Sequence, residues 1–304
     1  MTVIPRSTLG EPIQMSLALI LASLTNGLTM GAIYALVALG LTLIYGVLHI
    51  INFAHGSLLM AALYAVWFVN VRLGVDPYIA ILILAPAFFA IGYGLQRFVI
   101  DPVSHGKDQQ ILLATLGVSI VIDNLALYFF RSEPRTLDLD YAFRTVDVSI
   151  ALIPVPRAVG FVAALIVAAA LWFVIARTDL GRAIRAVARE RQGARLVGVS
   201  VEHAYAMTFG IGTAVLAIAA CLLMPTFYVT PQVGHAFVLV AFTTVVLGGM
   251  GSFAGALIGG LALGVIEALC GLYLGESLGQ IGIFLIFILV LLTRPTGLLG
   301  SRFA

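Results

Sequence analysis

Charged residues are scarce in this chain of 304 residues: they make up 10% of it, whereas apolar residues make up 62%. Water-soluble domains are nearer half apolar and about a quarter charged. Together with a mean hydropathy of +1.12, this scarcity excludes a water-soluble globular enzyme and predicts a chain that lies in a lipid bilayer. The formal net charge is only +2, so nothing in the charge balance indicates a nucleic-acid partner.

Cysteine and the common catalytic motifs are also nearly absent. The two cysteines, Cys221 and Cys270, lie inside apolar runs, which excludes a disulfide framework or a CxxC metal site. The sequence contains no GxSxG, no HExxH and no Cys/His cluster at zinc spacing. A P-loop is excluded because Lys107, the only lysine, is followed by Asp108. We therefore expect no metal or cofactor, and an energy source that belongs to a partner or to an ion gradient.

Long stretches without charge predict where the chain crosses the bilayer. Residues 12–71 and 203–266 contain no Asp, Glu, Lys or Arg, and each has room for up to three crossings of about 20 residues. Four shorter runs add one crossing each: 77–96, 109–130 (broken only by Asp123), 158–176 and 281–293. Residues 17–70 predict one full span and two shorter ones, interrupted near residues 49–56. The fold predicted is an all-α transmembrane helical bundle of about ten segments, or eight if the short ones do not cross, in a single domain over 1–304.

Six arginines cluster between residues 177 and 204, which predicts that this segment is the main cytoplasmic loop. They are Arg177, Arg182, Arg185, Arg189, Arg191 and Arg195. Six segments before this loop and four after it would place both termini in the cytoplasm.

The same segment has helical periodicity. Thr178 or Asp179 can cap a helix start. Arg182, Arg185 and Arg189 then share one face of the helix, and the opposing face holds Ala183, Val187, Glu190 and Ala194. Gly193 and Gly198 follow as breaks, and we expect a hinge at Gly193. Such an amphipathic helix is a docking surface for a soluble subunit, although contact of the arginines with lipid headgroups is an alternative.

Two polar, glycine-containing passages interrupt the apolar runs. In the first, Asn52, His55 and Gly56 favour a discontinuous helix that lines a substrate route, and an interfacial turn is the alternative. The second passage, residues 248–264, contains Ser252-Phe-Ala-Gly, which repeats the small-polar, Phe, Ala order of Asn52-Phe-Ala-His. Repeated halves with broken helices are common in transporters. Close helix packing at glycines is the alternative for the second passage.

Two acidic residues, Asp123 and Glu267, lie within apolar runs, and an intramembrane carboxylate indicates either function or a hydrogen-bonded structural role. The sequence shows no paired carboxylate and guanidinium that would clamp a zwitterion, so we expect no fixed high-affinity site in this chain. An enzyme using Asp123, Glu267 and His55 as acid or base groups is a second class of function, and a channel-like facilitator is a third.

With these residues in view, the sequence resembles the LivH-type permease of bacterial branched-chain amino acid ABC importers. The resemblance runs from about Leu24 to Gly300. Its most specific parts are GLTLIYG at 40–46 with INFAHG at 51–56, LGRAIRAVARE at 180–190 with ARLVG at 194–198, VLGGMGSFAGA at 246–256, GVIEA at 264–268, and RPTGLLG at 294–300. It implies a type II ABC-importer-like permease in the bacterial inner membrane.

The resemblance also implies partners and roles. The partners are a second, similar permease, two cytoplasmic ATPases that use the ATP, and a periplasmic binding protein that delivers an apolar amino acid. The translocation path would include Asn52, His55, Gly56, Ser252 and Glu267. ATPase coupling would involve Arg182, Arg185, Arg189, Glu190 and Gly193, although the first residues of the Glu-Ala-Ala...Gly coupling motif are not matched. Urea, amides and small organic acids are alternative substrates within the same family.

Overall fold

The computed structural model describes residues 11–104, 108–147, 152–275, 278–294 and 297–299. Lys107 and the N-terminal ten residues lie outside the described residues. The described chain is almost entirely helical, because a chain without water around it must satisfy its backbone polar groups within each segment.

The helices follow one another with short connections. In chain order they are α1 (Glu11–Leu48), α2 (Ala54–Leu73), α3 (Pro77–Gly94) continued by a π-helical turn (Leu95–Ile100), α4 (Asp101–Ser104), α5 (Asp108–Phe130), α6 (Val155–Arg177), α7 (Asp179–Arg189), α8 (Arg191–Leu196), α9 (Val201–Leu223) with a 3₁₀ turn (Met224–Thr226), α10 (Val233–Gly248), α11 (Phe253–Leu274) and α12 (Gly279–Thr293).

Seven helical segments in the described residues are long and apolar enough to cross a bilayer, and α10 and α12 are shorter apolar helices. The predicted multi-pass helical bundle is therefore confirmed. The region 17–70 forms two helices where we expected three, because α1 continues unbroken to Leu48. The expected interruption near residues 49–56 is present and separates α1 from α2.

The bundle is built around α1 and α9. In the most apolar part of α1, 89% of the residues are buried inside the protein, and in α9 the share is 78%, against 22% for α3, α5 and α6. The outer helices therefore present their apolar side chains to lipid or to another subunit. The core helix α1 runs against α11, where Gly31 faces Gly260 and Gly27 faces Gly264. A Cβ on Gly31 would lie 2.7 Å from the Gly260 carbonyl oxygen, so this contact requires glycine.

A small irregular region joins α5 to α6 on one side of the bundle. Strands β1 (Thr145–Asp147) and β2 (Leu152–Pro154) pair antiparallel, with Val146 opposite Ile153. Arg135 and Val229 exchange backbone hydrogen bonds of 3.0 and 2.9 Å. Tyr141 donates to Asp76 Oδ2 at 2.7 Å. These bonds tie the α2–α3 turn and the α9–α10 connection to the same side, called here the β side.

The arginine-rich segment 177–204 lies on the opposite side, called here the arginine side. The guanidinium of Arg191 donates to the carbonyl of Leu48 at 3.0 Å, so α1 ends on the arginine side and begins on the β side. The amide of Leu298 donates to Leu247, at the end of α10 beside the arginine-rich segment. The described part of the chain, residues 11–299, therefore begins on the β side and ends on the arginine side. The expected six segments before the arginine-rich segment are five, because residues 17–70 form two helices where three were expected.

Candidate translocation and coupling sites

Asn52 lies in the turn between α1 and α2, and His55 and Gly56 lie in the first turn of α2. These three residues are buried, whereas His49 and Phe53 in the turn are exposed. His49 ends α1 with a φ of +57°. Asn52 Oδ1 then accepts from the amide of Ala54 at 3.1 Å and starts the next helix. Asn52 is 1% exposed and His55 is 0% exposed. These side chains are therefore enclosed in the conformation described.

His55 is held by α1. Its Nε2 donates to the carbonyl of Val37 at 3.0 Å, and its Nδ1 has no hydrogen-bond partner. The amide nitrogen of Asn52 is also buried without a partner. A buried polar atom without a hydrogen bond lowers the stability of the fold. These two nitrogen atoms therefore keep their capacity to bind a further partner. Within the described residues, no group of three His, Cys, Asp or Glu side chains is placed to hold a metal ion.

Ser252 occupies the corresponding place in the second half of the chain. Its Oγ accepts from the amide of Gly255 at 3.1 Å and caps α11, much as Asn52 starts α2. Around it the glycines allow close packing: a Cβ on Gly259 would lie 2.9 Å from the carbonyl oxygen of Thr244. The glycines of this passage therefore allow close helix packing, as the alternative interpretation predicted. The repeated sequence lies at the start of a helix in each half of the chain.

Asp123 has a partner that the sequence did not indicate. Its Oδ2 lies 3.5 Å from His235 Nε2 on α10 and 3.4 Å from Ser119 Oγ, which in turn lies 2.8 Å from Ser57 Oγ on α2. A polar chain thus crosses from α10 through α5 to α2. Asp123 and His235 are 112 positions apart in the sequence, so no local spacing signals their contact.

Glu267 faces a cavity of about 520 Å³ on the β side, lined mainly by α1, α10, α11 and the connection between α9 and α10. The Tyr34 hydroxyl interacts with its carboxylate. Arg157, in the first turn of α6, lines the same cavity, and its guanidinium donates to Asn26 Oδ1 of α1. A carboxylate and a guanidinium therefore line one cavity, although no ion pair joins them among the described residues. The expectation that this chain has no fixed high-affinity site stays a prediction.

The arginine-rich segment folds into two short helices. Thr178 Oγ1 accepts from the amide of Gly181 at 3.1 Å, so the predicted cap of α7 is confirmed. Arg182, Arg185 and Arg189 are exposed, as their spacing predicted. The buried face consists of Gly181, Ile184 and Val187, which pack against the bundle.

The position of the bend differs from our prediction. The backbone is extended at Glu190, with φ −154° and ψ 105°, and Glu190 Oε1 accepts from the amide of Gln192 to start α8. Gly193 lies inside α8, where a Cβ would approach Glu190 Cγ to 3.2 Å. Glu190 is exposed and does not share the buried face with Val187. The bend is therefore at Glu190. The prediction that Ala183 and Glu190 share the face of Val187 is wrong, because Ile184 is the residue buried with Val187.

The chain was compared with known proteins. The family model of the branched-chain amino acid transport system / permease component matches residues 23–292. The chain belongs to this permease family. The BraD permease protein of a high-affinity branched-chain amino acid transport system from Pseudomonas aeruginosa is 36% identical over 294 residues, 92% of this chain and 95% of that protein. The LivH permease proteins of Salmonella typhimurium and Escherichia coli are 35% and 34% identical over 297 residues, with the same coverage.

Among solved structures, PsaBC from Streptococcus pneumoniae in complex with Fab aligns with a TM-score of 0.45 and 14% identity, over 95% of this chain and 94% of that one.

Membership in a transport permease family excludes the enzymatic alternative. The permease is a multi-pass membrane protein and one component of a transport system. The three groups that an enzyme would have needed have separate partners: His55 bonds to Val37, Asp123 contacts His235, and Glu267 interacts with Tyr34.

Proposed function

We propose that the chain is the transmembrane permease domain, over 1–304, of an ATP-driven importer in a bacterial inner membrane. Its substrates are branched-chain amino acids delivered by a periplasmic binding protein. Its partners are a second, similar permease and two cytoplasmic ATPases, which use the ATP, so the permease has no cofactor of its own. The observation that supports this proposal best is the permease-family match over residues 23–292, together with relatives named for branched-chain amino acids.

The segment 177–204 is proposed as the surface that couples the ATPase to the permease. Helix α7 fixes itself to the bundle through Ile184 and Val187, each 1% exposed. This leaves Arg182, Arg185 and Arg189 exposed on the other face, where they can meet an acidic surface. Arg182 also pairs with the exposed Asp179. Glu190, at the bend, and Gly193, in the short helix behind it, complete the proposed contact.

The translocation path is proposed to pass Asn52, His55, Gly56, Ser252 and Glu267. Support comes from the buried polar side chains Asn52 and His55, at the start of α2, because buried polar groups in a membrane protein mark solute paths. Gly56 on α2 and Gly234 on α10 are in backbone contact. Because neither glycine has a side chain to interlock, α2 and α10 can separate at this point. Separation of these helices would uncover the buried polar atoms of Asn52 and His55.

Uptake by the reconstituted complex tests the proposed function. Proteoliposomes containing both permeases and both ATPases, supplied with binding protein and internal ATP, are expected to accumulate labelled leucine. Isoleucine and valine should compete, whereas urea, acetamide and small organic acids should not. Accumulation without ATP would identify a facilitator, and competition only by urea or amides would show a different substrate.

Variants of the segment 177–204 test the coupling role. Glu190→Lys and Gly193→Trp should abolish leucine uptake and substrate-stimulated ATP hydrolysis while membrane abundance stays normal, because neither residue spans the bilayer. Arg182→Ala, Arg185→Ala and Arg189→Ala should weaken co-purification of the ATPase. If instead the arginine variants change only insertion and the Glu190 and Gly193 variants are silent, the arginines serve lipid headgroups and the coupling assignment is wrong.

A further inference from the structure

The cavity on the β side places opposite charges and apolar walls around one space. Glu267 on α11 and Arg157 on α6 both line it. They also line a second cavity of about 670 Å³, and Asn26 and Ala268 are common to the two. The two cavities therefore share a wall at these residues, and the cavity of about 520 Å³ is called here the vestibule. Its volume is in the usual range for small-ligand pockets, about 300–1,000 Å³.

Glu267 and Arg157 do not neutralise each other. Among the described residues, no ion pair of 4 Å or less joins them, and each instead contacts an uncharged group on α1. The Arg157 guanidinium donates to Asn26 Oδ1, and Glu267 interacts with the Tyr34 hydroxyl. A guanidinium has five N–H donors and a carboxylate has four lone-pair sites, so both groups keep capacity for a further partner.

Part of the lining of the vestibule is apolar. Met30 of α1, Leu223 of α9, and Phe237 and Val240 of α10 line it together with Tyr34. A ligand that matches this arrangement carries an anion, a cation and an apolar group. An amino acid with an aliphatic side chain has all three on one carbon centre.

We propose that the vestibule is a substrate subsite in which Arg157 binds the α-carboxylate and Glu267 binds the α-ammonium group of an apolar amino acid. Asn26 and Tyr34 hold the two charged side chains apart so that they receive the ligand rather than each other. The proposal rests on the proposed function and extends it, because it gives this permease its own selection step after the binding protein.

The test uses three probes that share the same aliphatic side chain and differ in the charged groups they carry. Leucine carries both charged groups, leucinamide lacks the carboxylate, and 4-methylpentanoate lacks the ammonium group. Binding of labelled leucine to the purified complex of permeases and ATPases is measured without binding protein, and each analogue is used as a competitor. Wild-type complex should bind leucine about tenfold or more better than either analogue, because a lost charge-assisted hydrogen bond weakens binding by at least that factor.

The two variants should fail differently. Arg157→Gln should remove the preference for leucine over leucinamide and keep the preference over 4-methylpentanoate, and Glu267→Gln should do the reverse. Arg144→Gln, which removes an exposed arginine on the same side, is the matched control and should change neither preference.

Three outcomes would overturn the subsite: no binding of leucine by the wild-type complex, equal binding of the three probes, or an equal loss for all probes in both variants, as a purely structural role predicts. Uptake with binding protein is measured in parallel. If the wild type takes up leucine but its binding shows none of these preferences, only the subsite proposal is wrong. If it takes up no branched-chain amino acid, the proposed function is wrong.

Discussion

Arg191→Ala is expected to release the segment 190–199 from the bundle. The Arg191 guanidinium donates to the carbonyl of Leu48 at 3.0 Å, at the C-terminal end of α1. It also lies over the ring of Tyr205, 5.5 Å from the centroid. Through these two contacts, one side chain fastens α8 to both central helices of the permease.

The magnitude follows from the two contacts. A hydrogen bond to a charged group contributes about 1.5–3 kcal/mol, and a partly exposed cation–π contact about 0.5–1 kcal/mol. Their loss destabilises the docked segment by about 2–4 kcal/mol, which changes its docking equilibrium by roughly 30- to 1,000-fold. Arg195→Ala is the matched control on the same short helix. Arg195 pairs with Glu202 with side chains 62% and 37% exposed, and such exposed pairs contribute about 0–1 kcal/mol.

Hydrogen exchange in the assembled complex measures the difference. The amides of Ala194 and Val199 are bonded within the segment, so their exchange reports its opening. Arg191→Ala should accelerate exchange at both amides and reduce substrate-stimulated ATP hydrolysis, whereas Arg195→Ala should leave both near wild type. Unchanged exchange in Arg191→Ala would show that these two contacts do not hold the segment, and would refute the reasoning.

Three further predictions concern other parts of the permease. Gly31→Leu should destabilise the complex by about 1–3 kcal/mol through overpacking against α11 and so lower its apparent melting temperature. Gly117→Ala, with open space around it, should not, and equal melting temperatures would contradict the glycine contact. Burial and the hydrogen bond to Asp76 raise the pKa of Tyr141, so its stabilisation is present below pH about 10 and is lost as the pH rises further; Tyr141→Phe should flatten this loss in melting curves. The permease purified without partners should not bind ATP, because it has no P-loop, and saturable binding of a labelled analogue in detergent would disprove this.

Features set by neighbouring residues were predictable from the sequence. The stretch 203–266 had room for three crossings, and α9, α10 and α11 lie there, with α12 at the predicted run 281–293. The cap at Thr178 and the common face of Arg182 and Arg185 follow from spacing within one or two turns. Such signals are local because hydrogen bonding in a helix reaches only four residues along the chain.

Features that depend on packing were not predictable in the same way. Arg157 and Glu267 are 110 positions apart, so no local spacing predicts that they line one cavity. The sequence shows Arg157 only as the charged residue directly before the apolar run 158–176. Likewise, nothing in residues 17–48 distinguishes one long helix from two short ones, since both satisfy the backbone in lipid; the glycine contacts of α1 with α11 select the long helix.

The continuity of α1 has a mechanical consequence. Asn26 and Tyr34 on this helix hold the charged residues of the vestibule, Val37 accepts the hydrogen bond of His55 in the first broken segment, and Leu48 accepts that of Arg191. From Asn26 to Leu48 is about 33 Å at 1.5 Å per residue, close to the thickness of the hydrocarbon core, about 30 Å. Because an unbroken helix moves largely as one body, a tilt of α1 displaces its vestibule end and its arginine-side end together. One helix thus joins the proposed substrate subsite to the proposed coupling segment, without a relay through flexible loops.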